Sequence, residues 1–183
     1  MNAMQLKLKL RFFLFSQHLI PQHIISELAG KLANSKIPWI KNFLIYLFIR
    51  RFNIDLSLCK ITNRYQYPNF NSFFIRELAY KFPSSTQATA IYSPTEGLLS
   101  EYGAINKGCL IQAKQQYYPL HTLLADECTW VTTFKNGYFA TFYLAPFNYH
   151  RVHMPINGVL AQIIYVPGKL YSVNLATAAY IPE

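Results

Sequence analysis

The string "NYHRVHMP", residues 148–155, holds two of the chain's five histidines. His150 and His153 stand three apart with Arg151 between them, and Pro146 and Pro155 bracket the stretch. A spacing of three puts two side chains on one face of a helix and on opposite faces of a strand. The prolines favour a loop or a strand end. Imidazole is a common metal ligand and titrates near neutrality, so several uses compete. A metal site needs three or four ligands, and no further His or Cys stands nearby in the chain. Two surface histidines in a loop would do no chemistry at all. General acid–base catalysis is the third use, and it requires a partner. "SPTEG", residues 93–97, offers Glu96, one of only eight acidic residues. A carboxylate can orient an imidazole and stabilise its protonated form. Taken alone, Glu96 also reads as a turn carboxylate facing water.

The elements that must carry these residues divide the chain near residue 80. Residues 1–80 read as helical and basic, 81–90 ("KFPSSTQATA") as a linker, and 91–183 as strands and turns. In "PQHIISELAGKLA", Ile24, Ile25, Leu28 and Leu32 fall at helical spacing. "KIPWIKNFLIYLFIRRF" predicts a second helix with Pro38 near its start. In "NFNSFFIRELAY", Asn71 or Ser72 is the expected N-cap of a third. Further on, "TWVTTF" and "YFATFYL" flank "KNG", residues 135–137, which predicts a β-hairpin. "GVLAQIIYVPG" predicts another strand. The expected fold class is therefore α+β, helices first and then a mainly antiparallel β body.

Composition narrows the partners. Apolar residues make up 52% of the 183 and the formal net charge is +9, which excludes a disordered chain and suits an anionic partner. A nucleic-acid module would carry a recognisable fold or a basic, aromatic-interleaved sheet motif; the sequence has neither, and no nucleic acid is expected. Cys59, Cys109 and Cys128 are odd in number and scattered, so they fit neither a zinc signature nor a disulfide framework and favour a reducing compartment. The longest apolar stretch, residues 37–52, is interrupted by Lys41 and Asn42 and falls short of the roughly 20 residues a spanning helix needs. Trp39, Phe43, Leu44, Leu47 and Phe48, with Lys7, Lys9, Arg11, Lys41, Arg50 and Arg51, instead suggest a basic interfacial surface. The same helices would equally serve as a cover for the sheet.

In combination the motifs become specific. "SPTEG", "IQAKQQYYPLHTLL", "YLAPFNYHRVHMPING" and "YVPGKLYSVN" follow one another in this order, after "FNSFFIREL" at residues 70–78. Together they resemble the bacterial, pyruvoyl-dependent phosphatidylserine decarboxylases, from about residue 10 to the last. The resemblance implies conversion of phosphatidylserine to phosphatidylethanolamine and CO2. A serine that self-cleaves to an N-terminal pyruvoyl group would form a Schiff base with the substrate amine and act as electron sink. It implies His153 as the base that activates the serine, Glu96 in the orienting position, and His150 in the decarboxylation step. It also implies a phospholipid substrate and peripheral attachment to an anionic membrane surface, on the cytoplasmic side of a bacterial membrane.

The chain departs from the family pattern at several points. Glu96 stands where the family has aspartate, Asn148 where an aspartate precedes the Tyr-His pair, and Gln115 where a glycine follows "QAK". The chain ends at "AAYIPE" without the Leu-Gly-Ser-Thr segment that carries the cleaved serine; Ser93 and Ser172 match other parts of the pattern. The expectation is an N-terminal portion of a decarboxylase, incomplete in its β body and inactive alone, with a C-terminal partner chain and self-association left open. The alternative is a non-catalytic remnant that binds membrane or a partner chain, and the coding sequence after codon 183 would discriminate the two.

Overall fold

The computed structural model describes residues 21–80, 90–106, 108–113, 116–125, 128–168 and 170. The basic N-terminal stretch with Lys7, Lys9 and Arg11, nearly all of the 81–90 linker, Gln115, and Ser172 with the "AAYIPE" end lie outside the described residues. Helices α1 (Gln22–Ala33), α2 (Pro38–Phe52) and α3 (Phe70–Phe74) come first. Strands β1 (Leu98–Ala104), β2 (Cys109–Ala113) and β3 (Gln116–Pro119), helices α4 (Leu120–Leu123) and α5 (Cys128–Phe134), and strand β4 (Tyr138–Tyr143) follow. The fold is α+β.

The chain forms two compact units. One comprises Glu27–Leu98 with Phe142–Ile164, and its centre is α2. Pro38 opens this helix, where its missing N–H costs nothing and its fixed φ is already helical. Asn53 closes it in the left-handed region at φ 51°, donating its N–H to the Ile49 carbonyl, a conformation that asparagine tolerates better than most residues. Ile45 is fully buried and packs with Ile54, Tyr67 and Phe73. Phe48 meets Phe70, Phe73 and Phe74 edge-on at centroid separations of 5.3, 6.0 and 5.8 Å, the geometry that ring quadrupoles favour. Burial pushes the Tyr67 phenol up to about 12, and its hydroxyl donates to the Ile61 carbonyl at 2.7 Å. Phe48 is thus a core residue, not part of an outward surface. Lys41 is also spoken for: its Nζ donates to the Tyr65 and Tyr67 carbonyls at 2.9 and 2.6 Å.

Helix α3 starts two to three residues earlier than the sequence suggests. Its N-cap is Asn69, not Asn71 or Ser72, and the Asn69 side chain accepts from the Ser72 N–H at 2.8 Å. Three residues of N-cap type fall within four positions, and local preference alone does not choose among them. Beyond α3 the backbone is pinned to residues 58–60, with Lys60 N–H donating to the Glu77 carbonyl at 2.8 Å and Ala79 N–H to the Leu58 carbonyl at 2.9 Å.

The other unit contains Leu99–Thr141. β2 and β3 form an antiparallel pair with Leu110 opposite Tyr118, and its register shifts between Ile111 and Ala113. Ile105 and Leu120 are buried together, with Tyr118, Leu124, Val131 and Phe139 packed against them. The expected hairpin around Asn136-Gly137 does not form. "TWVTTF" is helical, within α5, and β4 pairs with β1 instead. β propensity reports fit to a half-buried sheet surface and yields to context. Here the helix stacks Trp130 on Phe134 at i, i+4, with centroids 6.2 Å apart, and turns Val131 toward the Ile105–Leu120 cluster. The Thr133 hydroxyl bonds back to the Thr129 carbonyl at 2.8 Å, which satisfies its polar atom within the helix. "GVLAQIIYVPG" forms no strand and belongs to no sheet among the described residues, and Val159 and Tyr165 are 91% and 86% exposed. A strand needs a hydrogen-bonded neighbour, and pattern alone does not supply one.

Candidate functional site

Three segments of the first unit meet around the two histidines, and all three were marked by the sequence motifs. "SPTEG" and "NYHRVHMP" are zipped together by backbone bonds. His153 N–H donates to the Pro94 carbonyl at 2.7 Å and Tyr92 N–H to the Pro155 carbonyl at 2.9 Å. The Ser93 hydroxyl donates to the Thr95 carbonyl at 2.7 Å and rounds the turn that presents Glu96. The Glu96 carboxylate then accepts the Tyr149 N–H at 3.0 Å through Oε2. Glu96 is exposed, yet it is bonded to the histidine loop and does not simply face water.

The histidines are half-buried and point to different neighbours. His150 stacks on Phe74, with ring centroids 4.0 Å apart and planes 24° from parallel. Its Nε2 lies 3.1 Å from the Ala145 carbonyl. A carbonyl only accepts, so Nε2 carries hydrogen and Nδ1 is the nitrogen that can exchange a proton. The turn before it is tight: Asn148 N–H donates to the Ala145 carbonyl at 2.9 Å, and the Asn148 side chain accepts the Ala145 N–H at 2.8 Å. An asparagine oxygen accepts as an aspartate oxygen would, so the turn closes without the carboxylate. His153 instead lies against Tyr149, with Nε2 at 3.0 Å from the hydroxyl. The Glu96 carboxylate therefore reaches the His153 neighbourhood through Tyr149.

The third segment, residues 73–77, braces the loop, and the sequence reading missed its role. Arg76 is buried and donates through Nη2 to the carbonyls of Phe147 and Asn148 at 3.0 and 3.3 Å. Arg151 returns the contact from the other side, with Nε donating to the Ile75 carbonyl at 2.8 Å and Nη2 pairing with Glu77 at 3.2 Å. Lys60 also pairs with Glu77, at 3.1 Å. The hydrogen bond from Lys60, then its charge and that of Arg151, hold the Glu77 carboxyl below its ordinary value. "FIRE" inside the longer motif was the available signal, but two arginines exchanged between segments more than 70 positions apart are invisible in one dimension. Cys59 lies in the same unit with its thiol pushed up by burial, which makes it a poor nucleophile. Among the described residues, no three His, Cys, Asp or Glu gather to hold a metal ion.

Gly97 sets how closely Glu96 can approach the loop. A Cβ there would stand 2.8 Å from the Tyr143 carbonyl oxygen, a backbone atom with little room to yield. Gly97→Ala should therefore cost about 1–3 kcal/mol and loosen the Glu96–Tyr149 bond. Urea denaturation measures the first effect and hydrogen exchange of the Tyr149 amide the second. An alanine variant as stable as the parent, with Tyr149 equally protected, would show that the close approach is dispensable.

Comparison with known proteins gives one consistent result. A family model described as phosphatidylserine decarboxylase matches residues 70–182, and a second, described as PSD, matches residues 12–53. Curated relatives named phosphatidylserine decarboxylase proenzyme are similar over nearly all of the chain. The Azotobacter vinelandii protein is 45% identical over 177 residues, the Alcanivorax borkumensis protein 46% over 180, and the Francisella philomiragia protein 47% over 177. These alignments cover 96–97% of this chain and 62% of each relative.

Proposed function

Because the chain belongs to the phosphatidylserine decarboxylase family, we propose that it supplies the proton-handling part of an active site that converts phosphatidylserine to phosphatidylethanolamine and CO2. The observation that carries this reading is the zipper between "SPTEG" and "NYHRVHMP", which joins the two segments that carry Glu96, His150 and His153. Its donor set, two half-buried imidazoles and a carboxylate, fits work beside a pyruvoyl group. That group, formed from a serine outside these 183 residues, would supply a carbonyl able to take up the electron pair released as CO2 leaves. His153 takes the proton from the serine hydroxyl during self-cleavage. His150, its Nε2 tied to the Ala145 carbonyl, delivers from Nδ1 the proton that replaces CO2 on the substrate carbon. Glu96 orients the loop that carries both. The test is to fuse the chain to a family C-terminal segment and measure self-cleavage by intact mass and CO2 release from phosphatidylserine. A folded fusion with neither activity would remove the catalytic reading and favour the non-catalytic alternative.

The lipid substrate requires docking at a bilayer surface, and α2 supports peripheral attachment. No helix among the described residues is long and apolar enough to cross a membrane. Trp39, Phe43 and Leu47 recur at i, i+4 and i+8 on α2 and are 73%, 59% and 53% exposed, with Arg50 and Arg51 exposed at its end. Apolar burial of roughly 1.5–3 kcal/mol per large side chain and about 1 kcal/mol per basic residue at an anionic surface would act together. The chain should pellet with anionic liposomes and far less with zwitterionic ones, and salt should weaken binding without abolishing it. Replacing Trp39, Phe43 and Leu47 by serine should release it while sparing the core around Ile45. Equal binding to both liposome types would remove the electrostatic contribution, and no binding to either would return α2 to a purely structural role.

A further inference from the structure

We infer that the Tyr149 hydroxyl donates a hydrogen bond to His153 Nε2 and so holds the imidazole in its Nδ1–H tautomer, with Nε2 the proton acceptor. Both partners are fixed independently of this contact. Tyr149 is held by its N–H on the Glu96 carboxylate, 3.0 Å away, and its side chain is buried. His153 is held by its N–H on the Pro94 carbonyl at 2.7 Å. The hydroxyl-to-Nε2 distance is 3.0 Å, and the rings lie 12° from parallel with centroids 5.5 Å apart. Geometry alone permits either direction of donation. Chemistry favours one: a phenol is a better donor than acceptor, and an unprotonated ring nitrogen is the better acceptor of the two atoms. Burial, the largest influence, raises the Tyr149 pKa, so the phenol keeps its hydrogen throughout the range in which imidazole titrates.

The consequence is that Tyr149 is a positioning residue, through which the Glu96 carboxylate acts on His153. Free imidazole prefers hydrogen on Nε2, so the contact reverses the intrinsic preference, and the Tyr149 hydroxyl must release the Nε2 lone pair before the ring takes a proton there. The use of that lone pair in self-cleavage rests on the function proposed above; the tautomer does not. The experiment is a multiple-bond proton–nitrogen correlation on the 183-residue chain with 15N-labelled histidine. It is run in mild detergent above the imidazole range, with His153→Gln to identify the signals. The wild-type chain should show His153 mainly as Nδ1–H. Tyr149→Phe, which keeps the stacked ring, should shift the ratio toward Nε2–H by about fivefold. A wild-type His153 with hydrogen mainly on Nε2 would overturn the inference, as would an unchanged ratio in a folded Tyr149→Phe. If the variant does not fold, the wild-type spectrum decides alone. A completed chain that never self-cleaves, but whose His153 is Nδ1–H, would sink the catalytic reading and leave this inference standing.

Discussion

In a chain completed with a family C-terminal segment, His153→Ala should slow self-cleavage by roughly 100- to 10,000-fold, the usual worth of a positioned base. His153 is the appropriate target because its backbone is held by Pro94 and its ring nitrogen by Tyr149, so removing the ring takes away chemistry without taking away the zipper. His150→Ala should behave differently. Its Nε2 is bonded within its own loop to Ala145 and its face is stacked on Phe74. Cleavage should therefore proceed in that variant, while CO2 release from the cleaved protein falls by a comparable factor. The two rates separate the roles: intact mass follows cleavage and CO2 release follows the later step. Equal cleavage in His153→Ala and the parent would show that another group is the base. Cleavage lost in His150→Ala but kept in His153→Ala would exchange the two assignments.

What could be read without a structure, and what could not, follows from the range of the physics involved. Helix α2 was legible because its signals are local: an apolar run, Pro38 at its start, and Arg50 and Arg51 at its end, where cations suit the helix dipole. The candidate residues of the loop stood out because His150, His153 and Glu96 are scarce residue types in unusual strings. α5 was not legible, since Val131, Thr132 and Thr133 carry strand preference and only packing on the Ile105–Leu120 cluster overrides it. The exchange of Arg76 and Arg151 between segments was not legible either. It pairs residues 71 to 76 positions apart, and nothing in a basic residue's identity names its partner. The same limit applies to Tyr149, which lay inside a quoted motif. Its contacts with Glu96 and His153 required the turn to be closed before they existed.

The Arg76 brace should carry the largest stability effect in the unit that holds the histidines. Arg76 is 6% exposed, and its two bonds to the Phe147 and Asn148 carbonyls are charge-assisted. Arg76→Ala removes both donors, leaves two carbonyls short of a partner, and withdraws the guanidinium that lies 5.8 Å above the Phe73 ring. Losing hydrogen bonds to a charged group and leaving their buried acceptors unpaired costs about 1.5–3 kcal/mol. Two effects oppose this. Nη1 is buried with no hydrogen-bond partner among the described residues, so the native state already bears one uncompensated donor. An apolar residue of similar length would also recover packing. Arg76→Met should therefore cost clearly less than Arg76→Ala. Arg151→Ala is the internal control. It links the same two segments, but its side chain and that of Glu77 are 37% and 48% exposed, and exposed pairs contribute about 0–1 kcal/mol. Urea midpoints for these three variants should rank Arg151→Ala with the parent, then Arg76→Met, then Arg76→Ala. If Arg76→Ala unfolds no earlier than Arg151→Ala, burial does not strengthen the brace. His150 would then owe its position to Phe74 and the Ala145–Asn148 turn alone.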